Sequence, residues 1–365
     1  MAQKTSIEWT DATWSPVLGC SPASAGCAAC YATRTVWRMA HNPNRKIAEA
    51  RAGLVEKTSA GVLRWTGAVR CLPDQLEVPL RWKEPRRIFV ANQSDLFHEA
   101  VPDDFIAQVF AVMALAPRHT FQVLTKRAAR MAELLRSEDF WSLVGSWSDL
   151  MLEDEESPVG PGRGWNGLER RSDDARALAQ APTADEPLEN AWLGVSVEDQ
   201  RAADERIPHL MQTPAALRFV SAEPLLGPVD LRHLYGHVKL GECVDLCVDA
   251  LAGKHAAAWA GRGTIPDRPL PRGAEKLDWV IVGGESGPSA RPCDVAWVRS
   301  LVEQCRAAGV PAFVKQLGRA AASDVFLGPN GGCGYHPLRL RDRKGGDPAE
   351  WPEDLRVREM PEVRR

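Results

Sequence analysis

The chain has 365 residues, of which 44% are hydrophobic and 25% charged, and a formal net charge of −3. This is the composition of a globular protein with material for a large core. The near-neutral balance excludes whole-molecule attraction to nucleic acid and leaves only local basic patches for that purpose. No apolar run approaches the roughly 20 residues that cross a bilayer, and "MAQKTSIEWTDATW" lacks the apolar stretch of a secretory leader. A cytoplasmic location with no membrane partner is therefore expected, where thiols stay reduced.

Short apolar, β-branched runs alternate with helical stretches along the chain. A first strand is expected near Thr13–Leu18, followed by the loop "GCSPASAGCAACYA" (Gly19–Ala32). Residues 54–80 read as an inserted hairpin and short helix. "RIFVANQSDLF" (Arg87–Phe97) gives the second strand, ending in Ser94 and Asp95 and followed by "PDDFIAQVFAVMALA". "TFQVLTKR" (Thr120–Arg127) gives the third, ending in Thr125, Lys126 and Arg127. Residues 151–190 are acidic and rich in proline and glycine, the signature of a surface insertion.

The fourth strand, in "AWLGVSVEDQ" (Ala191–Gln200), ends in Ser196 and Glu198; the fifth, in "LRFVSAEPLL" (Leu217–Leu226), ends in Ser221 and Glu223. A second insertion spans 228–275. The sixth strand, in "LDWVIVGGESG" (Leu277–Gly287), runs into Gly283, Gly284, Glu285 and Ser286. The seventh, in "PAFVKQLG" (Pro311–Gly318), carries Lys315 and Gln316. Residues 319–365 form a C-terminal extension packed on the domain of residues 1–318.

Runs that are apolar throughout suit strands buried on both faces, and their alternation with helices implies parallel βα units. The fold expected is α/β: a TIM-like (β/α) barrel, complete or partial, with an open doubly wound sheet as the competitor. The barrel is favoured because nearly every run ends in residues able to do chemistry, and parallel barrels build their sites at the carboxyl ends of the strands. Glu198, Glu223 and Lys315 are the candidate catalytic groups; His98 is a candidate proton donor. A salt bridge to a neighbouring strand is the structural alternative for either glutamate. The stretches "RWKEPRR" (Arg81–Arg87), "KRAAR" (Lys126–Arg130) and "RLRDRK" (Arg339–Lys344) would track a nucleic-acid backbone if clustered.

Three of the nine cysteines, Cys20, Cys27 and Cys30, lie within eleven residues. Structural zinc wants four protein ligands, commonly as two pairs, and only one close pair is present here. A [4Fe-4S] cluster normally takes four cysteines; held by three, it keeps one iron open for a substrate or cofactor. A zinc site completed by a distant ligand is the alternative, and a set of buried structural cysteines is a further one.

At this loop the sequence resembles the radical SAM superfamily, whose three-cysteine motif follows the first barrel strand, most often as CX3CX2C. The Cys30–Tyr31 pair is similar to the end of the spore photoproduct lyase motif. "TWSPVLGC", "SDLFHEAVPDDFI", "HTFQVLTKR", "WLGVSVEDQ", "FVSAEPLLGPVDL", "DWVIVGGESGP" and "DRKGGDPAEWPEDLRV" further resemble a phage- and prophage-associated radical-SAM-like family without a settled role. The resemblance implies Cys20, Cys27 and Cys30 as cluster ligands, S-adenosylmethionine on the open iron, and hydrogen-atom abstraction from a substrate. Analogy with the lyase favours nucleic acid or a nucleotide as that substrate. The electron donor implied is flavodoxin- or ferredoxin-like.

Two features depart from the superfamily. The first cysteine gap is six residues, and "GGE" sits on the sixth strand instead of the second. The cofactor contacts expected are therefore Ser94 and Asp95, with Ser196, Gly283, Gly284 and Glu285. A non-catalytic zinc or iron–sulfur binding module is the alternative function, and a barrel hydrolase or lyase working through Glu198, Glu223 and Lys315 is a third.

Overall fold

The seven apolar runs become seven strands of one all-parallel sheet in the computed structural model: β1 (Ala12–Trp14), β2 (Arg87–Val90), β3 (Thr120–Thr125), β4 (Ala191–Ser196), β5 (Leu217–Ala222), β6 (Trp279–Gly283) and β7 (Ala312–Gln316). Each strand neighbours the next in the chain, and the order never reverses. That rules against the doubly wound alternative, which needs a reversal point. The order has two ends, β1 and β7, so the sheet is open, in keeping with a partial barrel and not a complete one. Every residue of β4, β5 and β6 is buried, which is why these strands read as continuous apolar runs.

Residues 5–154, 183, 185–240, 242–258, 276–327 and 333–362 are described by the structure. Helices Asp103–Ala114, Ala128–Leu135, Glu138–Glu153, Gln200–Gln212 and Val295–Ala308 fill the crossovers. The connection from β5 to β6 instead holds a three-stranded antiparallel sheet, Leu234–Leu240, Glu242–Asp249 and Lys254–Ala258. The side chains of Cys243 and Cys247 lie outside the described residues, as do 259–275 and most of the 151–190 insertion. Residues 54–80 hold a hairpin, Val55–Lys57 against Leu63–Trp65, and 3₁₀ turns at Pro73–Gln75 and Pro79–Arg81 where a short helix was expected. No helix among the described residues is long and apolar enough to cross a membrane.

The first strand differs from expectation. Thr13–Leu18 is broken into β1 and a separate pair of residues, Val17–Leu18, which run antiparallel to Arg70–Cys71. Pro16 lies between the pieces and has no N–H to give a ladder.

The chain divides into two compact units. The first comprises Met1–Pro22, Ala32–Leu193 and Thr213–Leu217; the second comprises Ala23–Tyr31, Gly194–Gln212 and Arg218–Arg365. In the first, Phe110 meets Phe140 and Trp141 edge-on at 5.6 and 5.7 Å, joining helix Asp103–Ala114 to helix Glu138–Glu153. In the second, the buried Trp279 lies against Phe219 and Phe313 at 5.8 and 6.1 Å, and its indole N–H donates to the carbonyl of Glu359. Residues of the tail run antiparallel along β7: Val314 N–H donates to Val357 O at 2.8 Å, and Glu359 N–H to Ala312 O at 2.9 Å.

His119, at the approach to β3 in the first unit, is 1% exposed, and its Nε2 bonds to the carbonyl of Pro79 at 3.1 Å. Burial, then the charge of Arg118, pulls its pKa down to about 4. The native ring is thus neutral where the unfolded one, near 6.5, takes up a proton. Stability falls as pH drops from about 6.5 towards 4, by about 2 kcal/mol between pH 7 and pH 4.5 for this one group. Urea midpoints at those two pH values should show that loss, and His119→Gln should shrink it.

Candidate functional site

The cysteine loop begins at a glycine the backbone demands. Gly19 has φ +88°, and a Cβ there would stand 2.1 Å from the carbonyl oxygen of Ala68; its N–H donates to Gln93 O at 3.2 Å. A 3₁₀ turn, Ala25–Cys27, follows. Cys30 N–H closes onto Cys27 O at 3.3 Å, and helix Tyr31–Ala40 starts at the next residue. Cys20, Cys27 and Cys30 are in no disulfide, and all are half-buried. The sulfur of Cys27 accepts the N–H of Ala23 at 3.4 Å. Tyr31 is 52% exposed.

In the first unit the carboxyl ends of β2 and β3 form a network around Asp95. Its Oδ1 accepts the Thr125 hydroxyl at 2.7 Å and Phe97 N–H at 3.1 Å; its Oδ2 accepts Lys126 N–H and Arg127 Nη1, both at 3.1 Å. Arg127, nearly buried, also holds Glu99 at 3.0 Å and Ser21 Oγ at 2.9 Å, and its Nη1 lies 3.9 Å from Cys20 Sγ. Burial alone would lower the guanidinium's pKa; Asp95, Cys20 and Glu99 outweigh it and raise it. Ser94 Oγ donates to Val17 O at 2.8 Å. His98 accepts Ala100 N–H on Nδ1 and meets Ser21 Oγ through Nε2 at 2.8 Å, so the neutral ring carries its proton on Nε2. Burial, then Arg127, lowers its pKa.

In the second unit three carboxylates end β4, β5 and β6. Glu198 pairs with Arg206 at 2.9 Å; the two side chains are 1% and 3% exposed. Glu198 Oε1 also accepts Gly26 N–H at 3.4 Å, and Arg206 Nη1 donates to Ser196 O at 2.6 Å. The hydroxyl of Ser196 donates to Glu223 O at 3.0 Å. Glu223 accepts Lys315 Nζ at 2.8 and 3.1 Å and Gln316 Nε2 at 3.0 Å, with 20% of its side chain exposed. Glu285 receives Arg291 through its backbone N–H at 2.8 Å, through Nε at 3.1 Å and through Nη2, and Arg291 Nη1 donates to Ala25 O at 2.8 Å.

The structure therefore joins Glu223 to Lys315, a salt bridge between strand ends of the kind given as the structural alternative for either glutamate, and gives Glu198 and Glu285 arginine partners that strand-end reading had missed. Arg206 sits among alanine, isoleucine and leucine on the buried face of its helix, a polar residue out of pattern; that was the available signal. Arg291 had none beyond its nearness in sequence to "GGES".

Gly283 and Gly284 differ in what they permit. A Cβ on Gly284 would stand 2.3 Å from the carbonyl oxygen of Leu317, whereas the nearest atoms to one on Gly283 are at 3.4 Å. Backbone cannot step aside as a side chain can, so Gly284→Ala should lose about 1–3 kcal/mol and Gly283→Ala distinctly less, read as denaturation midpoints.

A family model matches residues 4–345, and its description is Protein of unknown function (DUF5131). The chain belongs to this family. No curated protein and no solved structure matches it. The expected membership of the radical SAM superfamily, and of its phage-associated branch, is overturned by this match, which covers nearly the whole chain and is to no radical SAM family. Two departures within the resemblance point the same way: the first cysteine gap is six residues, and "GGE" lies on the sixth strand, so the three thiols and the tyrosine fix a local donor set and not the family.

The donor chemistry nonetheless suits a cluster. The loop offers three soft ligands, none of them in a disulfide. Among the described residues no group of three or more His, Cys, Asp or Glu side chains converges as a single metal ion requires. A cubane asks for something else, because each of its thiolates binds a different iron.

Proposed function

We propose that the chain is an enzyme that holds a [4Fe-4S] cluster on Cys20, Cys27 and Cys30, takes S-adenosylmethionine at the iron these leave open, and abstracts hydrogen from a substrate, with nucleic acid or a nucleotide as the preferred class. The observation that carries this reading is the set of three half-buried cysteines, none in a disulfide, on one loop following the first strand of a parallel βα sheet. When bound, the cluster would supply the electron that cleaves the cofactor's carbon–sulfur bond, replenished by a flavodoxin- or ferredoxin-like donor.

The chain's own groups support the binding steps. Arg127 beside Cys20 favours the thiolate over the thiol. The start of helix Tyr31–Ala40 does the same for Cys30, which immediately precedes it. Asp95 is saturated by four donors, so Glu223, one-fifth exposed, is the more available carboxylate for a cationic amino or sulfonium group. Lys315 beside it suits a carboxylate or phosphate.

Anaerobic reconstitution tests the reading. The expected result is a brown protein with about four irons per chain that yields 5′-deoxyadenosine from S-adenosylmethionine under reduction. A colourless protein carrying stoichiometric zinc would replace it with the binding-module reading.

A further inference from the structure

We propose that two carboxylate–arginine pairs, Glu198–Arg206 and Glu285–Arg291, clamp the Ala25–Gly26 peptide group by its N–H and its carbonyl, in the turn that ends at Cys27, and so fix where that cysteine presents its sulfur. This rests on the cluster reading for its purpose, though not for its geometry. Both pairs and the turn belong to the second unit.

The contacts fall on adjacent residues. Gly26, buried, gives its N–H to Glu198 Oε1 at 3.4 Å, and Ala25 gives its carbonyl to Arg291 Nη1 at 2.8 Å. Neither anchoring side chain can drift. Glu198 is pinned by Arg206, itself tied to Ser196 O at 2.6 Å, and Arg291 is pinned by Glu285 through its backbone N–H and two guanidinium nitrogens. A 3₁₀ turn of three residues leaves its first N–H groups without partners of its own; Glu198 answers one of them. Carboxyl ends of β4 and β6 thereby hold the loop from two sides. A loop ordered before its ligand arrives loses less freedom when the ligand binds. Glu198 and Arg291 are thus positioning residues: neither needs to touch cluster or cofactor to matter.

The test is site-resolved alkylation of the full-length metal-free chain with N-ethylmaleimide, mapped by peptide mass spectrometry, beside iron uptake on the same preparations. Arg291→Ala should speed modification of Cys27 about fivefold, the equilibrium worth of one lost hydrogen bond, with half-buried Cys71 unchanged. Glu285→Ala, which leaves Arg291 present and unanchored, should do the same. Arg299→Ala, which breaks an exposed pair with Asp354 away from the loop, should change neither rate. Unchanged Cys27 rates in both Arg291→Ala and Glu285→Ala overturn the clamp. Iron uptake reports separately. A wild-type chain that takes up none, while Arg291→Ala still exposes Cys27, sinks the cluster and keeps the clamp.

Discussion

Cys27→Ser is expected to reduce the iron of the anaerobically reconstituted chain from about four atoms to near none. Cys20→Ser and Cys30→Ser should do likewise. Three ligands are the fewest on which a cube keeping an open corner can sit, and a serine hydroxyl is a hard, protonated donor where a soft thiolate is required. The other described cysteines supply the control. Burial raises the Cys71 thiol, and it raises those of Cys293 and Cys305 to about 12, with nearby carboxylates adding to it, so they stay protonated and poor ligands at neutral pH. Cys71→Ser, at a half-buried position, should therefore keep full loading. Iron and acid-labile sulfide per chain, with the visible absorbance band, decide the matter. Equal loading of Cys27→Ser and wild type would remove the cluster assignment.

Glu198→Ala should be the costliest single substitution for folding. It leaves the Arg206 guanidinium in an interior where its side chain is 3% exposed and its Nε has no hydrogen-bond partner among the described residues. Breaking one side of such a pair costs about 3–5 kcal/mol, whereas removing both charges together is often near neutral. The double variant Glu198→Met with Arg206→Met should therefore recover most of the loss, short of what Gly26 N–H forfeits with its acceptor. Denaturation midpoints of the two variants against wild type measure this. A Glu198→Ala loss below about 1 kcal/mol, the range of exposed pairs, would contradict the burial of the pair.

Strand existence was legible because burial on both faces writes itself as unbroken apolar runs, and "WVIVG" or "RFVSA" leaves little choice. The singly wound order was legible only in outline, from alternation and the polar strand ends. The break at Pro16 was visible in the residue itself, yet the partner of Val17–Leu18 lies at Arg70–Cys71, a pairing that no local pattern announces. The site divides the same way. Residue type and strand-end position marked Asp95, Glu198, Glu223 and Glu285. What each one meets is a tertiary matter: Lys315 reaches Glu223 from 92 positions away, and Arg291 reaches back to Ala25 across 266. The resemblance drawn from the cysteine loop and from stretches along the chain did not give the family; donor spacing is a local property, and the wide cysteine gap and the place of "GGE" on the sixth strand already departed from the superfamily.

The antiparallel tail along β7 has a colloidal consequence. Open sheets offer their outermost strand to any extended stranger, but Val357 and Glu359 already take the N–H of Val314 and the carbonyl of Ala312, and Arg358 covers the rings of Phe313 and Trp351. The latch turns a sticky flank into a finished border, so resistance to fibrillar self-assembly at that flank is a property of the final segment staying attached.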